Sequence, residues 1–340
     1  MAFVVLDQTM KWPTGTRIRI LALLLGLAAG ACSGAAFRLS FLEQESTLAD
    51  TCQLLRQAGM SQDSVSEFRK LVEHHNLNGN RVDRSRFPEA KGGFYEFRDL
   101  ADFTSRLRAV LHWTPSDHSL AQDTFTCFDA ACLLLRGAGC GAPEFEKDLG
   151  SKGILLNSKG IVLTNSDSQA FRSDYRWALF PAPAYERLTG KPRSEGETQL
   201  MLSIRATRFL PGPRATNELA WRAAFASYTR GLKEGGLVYP SGFKLGLGFY
   251  ATPKLWRFFP DHAFLCIPEQ RGLVCVEKNG GPGPYVRAEF ECEEDLARYI
   301  SWSMLEDANA RERKENHSGG AVLVSLNDRL IGVYPTGVEQ

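Results

Sequence analysis

The sequence predicts an α+β fold, helices first and an antiparallel sheet after them. Early segments carry apolar residues at helical spacing, later ones are short alternating β-branched runs, and no βαβ rhythm of the kind a parallel sheet needs links the two. With 340 residues, 44% of them hydrophobic, the chain has ample material for a large core. Its formal net charge is +1 and its Lys and Arg are dispersed, so no basic stripe argues for nucleic acid. Dinucleotide, Walker, HExxH and calcium-loop patterns are absent, and no cofactor or metal is expected.

The N-terminus reads as an export signal or membrane anchor over residues 1–37. Lys11, Arg17 and Arg19 precede ILALLLGLAAGA (Ile20–Ala31), and the apolar segment from Ile20 to Phe37, about 18 residues, is short for a membrane span. Cleaved signal, retained anchor and buried N-terminal helix are the three readings. AGAC (Ala29–Cys32) resembles a bacterial lipobox with Ala29 in place of the usual Leu, which implies lipidation at Cys32. An exported, membrane-associated envelope protein is the corresponding expectation.

Residues 38–115 read as a helical prefix. Leu48, Cys52 and Leu55, then Val65, Phe68 and Leu71, recur at helical spacing around a Gly-Met-Ser turn, and Phe94–Trp113 reads as another amphipathic helix. Residues 116–340 form the main domain. A compact apolar helix begins at Cys127, and GILLNSKGIVLTNS reads as a hairpin around Asn157–Gly160. Glu197–Leu210 reads as a strand and Asn217–Gly236 as a capped helix. FKLGLGFY, HAFLCIP and GLVCVEKN read as strands and EEDLARYISWSMLED as a helix. NARERKENHSGG reads as a polar loop, and AVLVSLNDRLIGVYP as a terminal hairpin.

Of eight cysteines, none has CxxC spacing, and several lie in apolar runs where cysteine acts as a small hydrophobe. Cys127 differs. A thiol in the first helical turn lies beside unpaired N–H groups and the positive end of the helix dipole, which favour the thiolate. Cys132, five positions on, points roughly 140° away, so packing is expected of it and of Cys140. A nucleophilic thiol needs a base. Among six histidines, His262 stands out at the head of HAFLCIP, where an apolar strand holds it. Alternation along GLVCVEKN puts Cys275, Glu277 and Asn279 on one face. Pairing through the QRG turn brings Glu277 near His262 as the acidic partner, with Asn279 as the alternative third member. Singly, each residue has a plain structural reading: Cys127 as core, His262 bonded to Asp261 or backbone, Glu277 solvated. Their order along the chain is what points to a thiol site.

Cys127 followed by AACLLLRGAGC resembles the nucleophile helix of the transglutaminase-like superfamily of papain-related thiol enzymes. In that family the histidine heads a strand, as in HAF here, and the acid follows on the next strand, as Glu277 does fifteen residues on. The resemblance covers mainly residues 120–140 and 255–295. It departs in carrying Glu277 where the family has Asp, and Phe264 where it has Trp. It implies a papain-like core with a nucleophile helix packed on an antiparallel sheet. It further implies acyl transfer through a thioester, and an oxyanion held by the Cys127 N–H with Gln122 as second donor. A cysteine-dependent amide hydrolase or acyl transferase acting on a peptide or cell-wall peptide is the expectation. A catalytically inactive envelope binding module and a structural cysteine-containing envelope protein are the alternatives.

Overall fold

The computed structural model describes residues 37–78, 92–98, 127–140, 217–234, 236–252, 257–279, 283–315 and 319–337, residues 102, 200 and 204, and short strands at 145–146, 155–157 and 162–163. The candidate signal with Cys32, the candidate donor Gln122 and the expected boundary near residue 115 lie outside these residues.

The described helices are α1 (Glu45–Gln57), α2 (Gln62–Asn78), α3 (Cys127–Gly137), α4 (Glu218–Glu234) and α5 (Glu293–Glu315). The strands are β1 (Phe37–Phe41), β2 (Tyr95–Phe97), β3 (Phe145–Glu146), β4 (Leu155–Asn157), β5 (Val162–Leu163), β6 (Lys244–Thr252), β7 (Arg257–Glu269), β8 (Gly272–Lys278), β9 (Tyr285–Phe290), β10 (Ala321–Leu326) and β11 (Arg329–Pro335). Eight strands form an antiparallel sheet in the order β11-β10-β6-β7-β8-β9-β1-β2, and β3-β4-β5 form a small second sheet. The α+β class therefore holds.

Both faces of the large sheet are covered, and alternation sorts its side chains between them. Leu245, Leu247, Phe249, Ala263, Leu265, Val274 and Val276 join the core built with α1–α4. Phe264, Cys266, Cys275, Val286, Ala288 and Val322 join the opposite core, under α5. This double cover explains why β8 is buried at every residue after Gly272.

Helix α3 lies between α2 and strands β7 and β8. Its run Ala130–Leu135 is buried throughout, and each leucine stabilises the packing by about 2 kcal/mol. It stops where Gly139 takes a left-handed φ of 84° and the Cys140 N–H donates to the Leu135 carbonyl at 2.9 Å. Only glycine adopts that backbone freely. Helix α4 begins where the Asn217 side chain accepts from the Ala220 N–H at 3.0 Å.

Five local expectations are corrected. The segment at Tyr95–Phe97 is a strand on β1, because Tyr95 and Phe97 alternate inward and Phe97 stacks on Phe37 at 5.2 Å. Phe37–Phe41 is itself a strand, so β1 and β2 from the expected helical prefix extend the main sheet. Leu200 and Ile204, expected in a strand, are helical, four apart and wholly buried. Helix α5 continues to Glu315 through residues expected to be a loop; Glu312 anchors it by accepting from the Gly320 N–H at 2.9 Å and the Thr336 hydroxyl at 2.7 Å. Finally, β7 begins at Arg257, so His262 sits inside a strand rather than at its head.

Candidate functional site

Cys127 opens α3 and is 6% exposed. The register of β7 against β6 shifts between Gly248 and Phe249: Gly248 faces His262 and Phe249 faces Pro260, so Asp261 is the extra residue of a bulge just before His262. Such a bulge changes which way the following side chains face. His262 shares a face with Phe264 by strand alternation, and the two rings stack at 5.8 Å. Phe264 in turn lies over Gly246, where a Cβ would come within 2.0 Å of the ring, so glycine is needed there for Phe264 and His262 to sit as they do.

The β7–β8 ladder ends at the pair Phe264↔Glu277. His262 lies two residues past that last rung, and its ring meets Glu277 on one side and Cys127, from the α3 layer, on the other. Its Nε2 is 2.6 Å from Glu277 Oε2, which leaves Nδ1 for the sulfur. The Tyr299 hydroxyl of α5 donates to the other carboxylate oxygen of Glu277, and the Asn279 side chain hydrogen-bonds to Tyr299. Glu277 is thus the residue on His262, and Asn279 stands one step behind it. The connected set runs Cys127, His262, Glu277, Tyr299, Asn279.

Burial works against a charged His262, but the Cys127 sulfur, as a negative charge and hydrogen-bond partner, and then Glu277 outweigh it and push the imidazole up to about 10. The ring is accordingly an imidazolium at neutral pH. Burial first, then Glu277, holds the Tyr299 hydroxyl protonated and hence a donor.

The end of β8 hides a second titratable side chain. Lys278 points to the α3 side, 1% exposed, with Nζ donating to the Gly283 carbonyl at 2.7 Å and lying 5.3 Å from the centre of the Tyr285 ring. His75 of α2 meets that ring edge-on at 5.6 Å, and among the described residues neither the Tyr285 hydroxyl nor His75 Nε2 finds a hydrogen-bond partner. Burial pulls Lys278 down to about 7 despite the opposing charges of Cys127 and Asp129. Burial, reinforced by Lys278, takes His75 to about 3, so it stays neutral.

Lys278 and His262 pull stability in opposite directions across one pH window. His262, raised above its ordinary 6.5, contributes stability that is complete below 6.5 and lost as pH rises through about 10. Lys278, lowered below its ordinary 10.5, makes the unfolded chain bind more protons between about 7 and 10.5, so its contribution grows with pH there. Each slope approaches about 1.4 kcal/mol per pH unit and the two largely cancel. Lys278→Met removes one of them, and its stability should fall with pH from 6.5 to 10 while the wild type stays nearly level. Urea unfolding at three pH values across that range reads the difference.

Sequence reasoning missed Tyr299, which sits in a helix with nothing local to mark it. It also passed over Lys278, for which a signal existed: a lysine directly after a glutamate at the end of a buried strand. Cys132 and Cys140 are packed in the core with Cys52, and the seven described cysteines are all free thiols. Among the described residues no helix is long and apolar enough to cross a membrane. No known protein family, curated protein or solved structure matches this chain.

Proposed function

We propose that the chain is a cysteine-dependent amide hydrolase or acyl transferase with a papain-like, transglutaminase-like core, acting on a peptide or cell-wall peptide outside the cytoplasm. The single observation that supports this reading is the buried relay in which Cys127, at a helix N-terminus, shares His262 with Glu277. A histidine held only for packing needs neither a thiol on one nitrogen nor a carboxylate on the other.

In this reading the Cys127 thiolate attacks the amide carbonyl carbon. A C–S bond forms and the carbonyl electron pair moves onto oxygen, where the backbone N–H of Cys127 at the start of α3 donates to it. The C–N bond then breaks and His262 passes its Nδ1 proton to the departing amine. The now neutral imidazole takes a proton from water, which attacks the thioester and releases the acid and the thiolate; an amine in place of water gives transfer. Glu277 keeps Nε2–H donating towards it throughout, and Tyr299 keeps Glu277 in place. The N-terminal signal and Cys32 supply membrane attachment.

Alkylation with iodoacetamide at graded pH, followed by peptide mapping, tests the proposal. Cys127 should be modified at pH 6 in the folded protein while Cys52, Cys132 and Cys140 stay unmodified. If Cys127 reacts only after unfolding, the enzyme reading is lost and a non-catalytic binding module takes its place.

A further inference from the structure

Cys266 of β7 stands directly opposite Cys275 of β8, and both are wholly buried. The kind of rung they occupy follows from their neighbour. Pro268 faces Leu273 two rungs along the same unbroken register. Proline has no N–H to donate, so that rung is one of the non-hydrogen-bonded pairs of the ladder. Antiparallel rungs alternate, which makes Ile267↔Val274 a hydrogen-bonded pair and Cys266↔Cys275 a non-hydrogen-bonded one. Non-hydrogen-bonded pairs bring side chains closest, with Cα atoms about 4.5 Å apart, inside the span a disulfide bridges. The two sulfurs are already hydrogen-bonded to each other.

We propose that Cys266 and Cys275 are a dithiol site that closes to a cross-strand disulfide under oxidising conditions. The other candidates for pairing lie elsewhere: Cys52, Cys127, Cys132 and Cys140 belong to the core on the opposite face of the sheet, and Cys292 hydrogen-bonds to Asp295. Reaction with a small-molecule disulfide balances the step. One thiolate attacks it, forming a mixed disulfide and expelling one small thiolate. The second thiolate attacks the protein sulfur of that mixed disulfide and expels the other. The protein loses two protons and two electrons, and the oxidant leaves as two thiols.

Burial, and then the hydrogen bond with Cys266, hold the Cys275 thiol well above the usual cysteine range, so the folded hairpin reacts slowly. The bond therefore forms while the hairpin assembles. Once made, it ties together the two strands that bear His262, four residues before Cys266, and Glu277, two residues after Cys275. The site does not depend on Cys127 being a nucleophile.

The full-length chain, reduced and unfolded, is refolded in a glutathione redox buffer and quenched with N-ethylmaleimide under denaturing conditions. It is then digested with trypsin and mapped by mass spectrometry. Exposed Arg271 lies between the two cysteines, so trypsin separates them unless the bond holds them. The expected product is a linked peptide pair containing Cys266 and Cys275, lighter by about 2 Da than the two free-thiol peptides together. The refolded wild type should melt higher before reduction than after it. Cys266→Val/Cys275→Val should show no such difference. Alkylation of both cysteines after refolding, or a bond from either to another cysteine, overturns the proposal. Wild-type mapping gives this answer even if the double variant folds poorly, and Cys127 alkylation of the folded protein, read in a separate aliquot before denaturation, keeps this outcome separate from that of the enzyme reading.

Discussion

His262→Ala should slow alkylation of Cys127 at pH 6 by about 100-fold, the order expected when a thiol loses its ion-pair partner. An unassisted thiol ionising near 8.5 presents only about 0.3% thiolate at pH 6. In the wild type the sulfur lies beside the His262 ring, whose protonated form Cys127 and Glu277 both favour, and at the start of a helix. The rate of the variant should therefore climb more steeply between pH 6 and 9 than that of the wild type. Amide cleavage should fall further still, because the same substitution removes the proton donor for the leaving amine. Rates from quenched alkylation read by mass spectrometry decide the matter, and equal profiles for the two proteins would sink the relay.

Glu277→Ala should be the most destabilising single substitution in the site. It leaves the Nε2–H of His262 and the Tyr299 hydroxyl with no acceptor in a buried place. Breaking a buried charged pair from one side costs about 3–5 kcal/mol. For a domain of this size that corresponds to a fall in Tm of roughly 10 °C. Glu277→Gln preserves the volume and an acceptor for Tyr299 but not the charge. Its melting temperature should fall less, while its alkylation profile should move towards that of His262→Ala. Scanning calorimetry on the two variants separates packing from charge. Tyr299→Phe, by contrast, removes one donor and leaves the His262–Glu277 contact, so its effect should be milder.

Where neighbours in the chain were enough, the sequence was readable. The apolar run from Phe128 to Leu135 needs helix to place it, and Gly139 is where that helix stops. The alternation of Val274, Cys275, Val276 and Glu277 sorts those residues to two faces whatever lies beyond. Asn217 caps α4 through a contact three residues away. Where the outcome depended on distant partners, local pattern misled. Phe94 and Phe97 stand at helical spacing while Tyr95 and Phe97 alternate as in a strand, and β1 decides between the two. The polar end of α5 looks like a loop until Glu312 finds the Gly320 N–H and Thr336.

The same division runs through the site. The sequence by itself determined a thiol at a helix start, a histidine next to an apolar strand run and an acid on the strand that follows, because each rests on spacings of a few residues. Only the tertiary structure decided that the β7 bulge and the end of the β7–β8 ladder let His262 meet both Cys127 and Glu277. It alone decided that Tyr299 backs the acid and that Lys278 is buried on the α3 side, where its ammonium is pulled down to about 7. Those outcomes depend on which layer covers which face of the sheet, and burial, which sets the charges, is a property of the packed layers rather than of any stretch of chain.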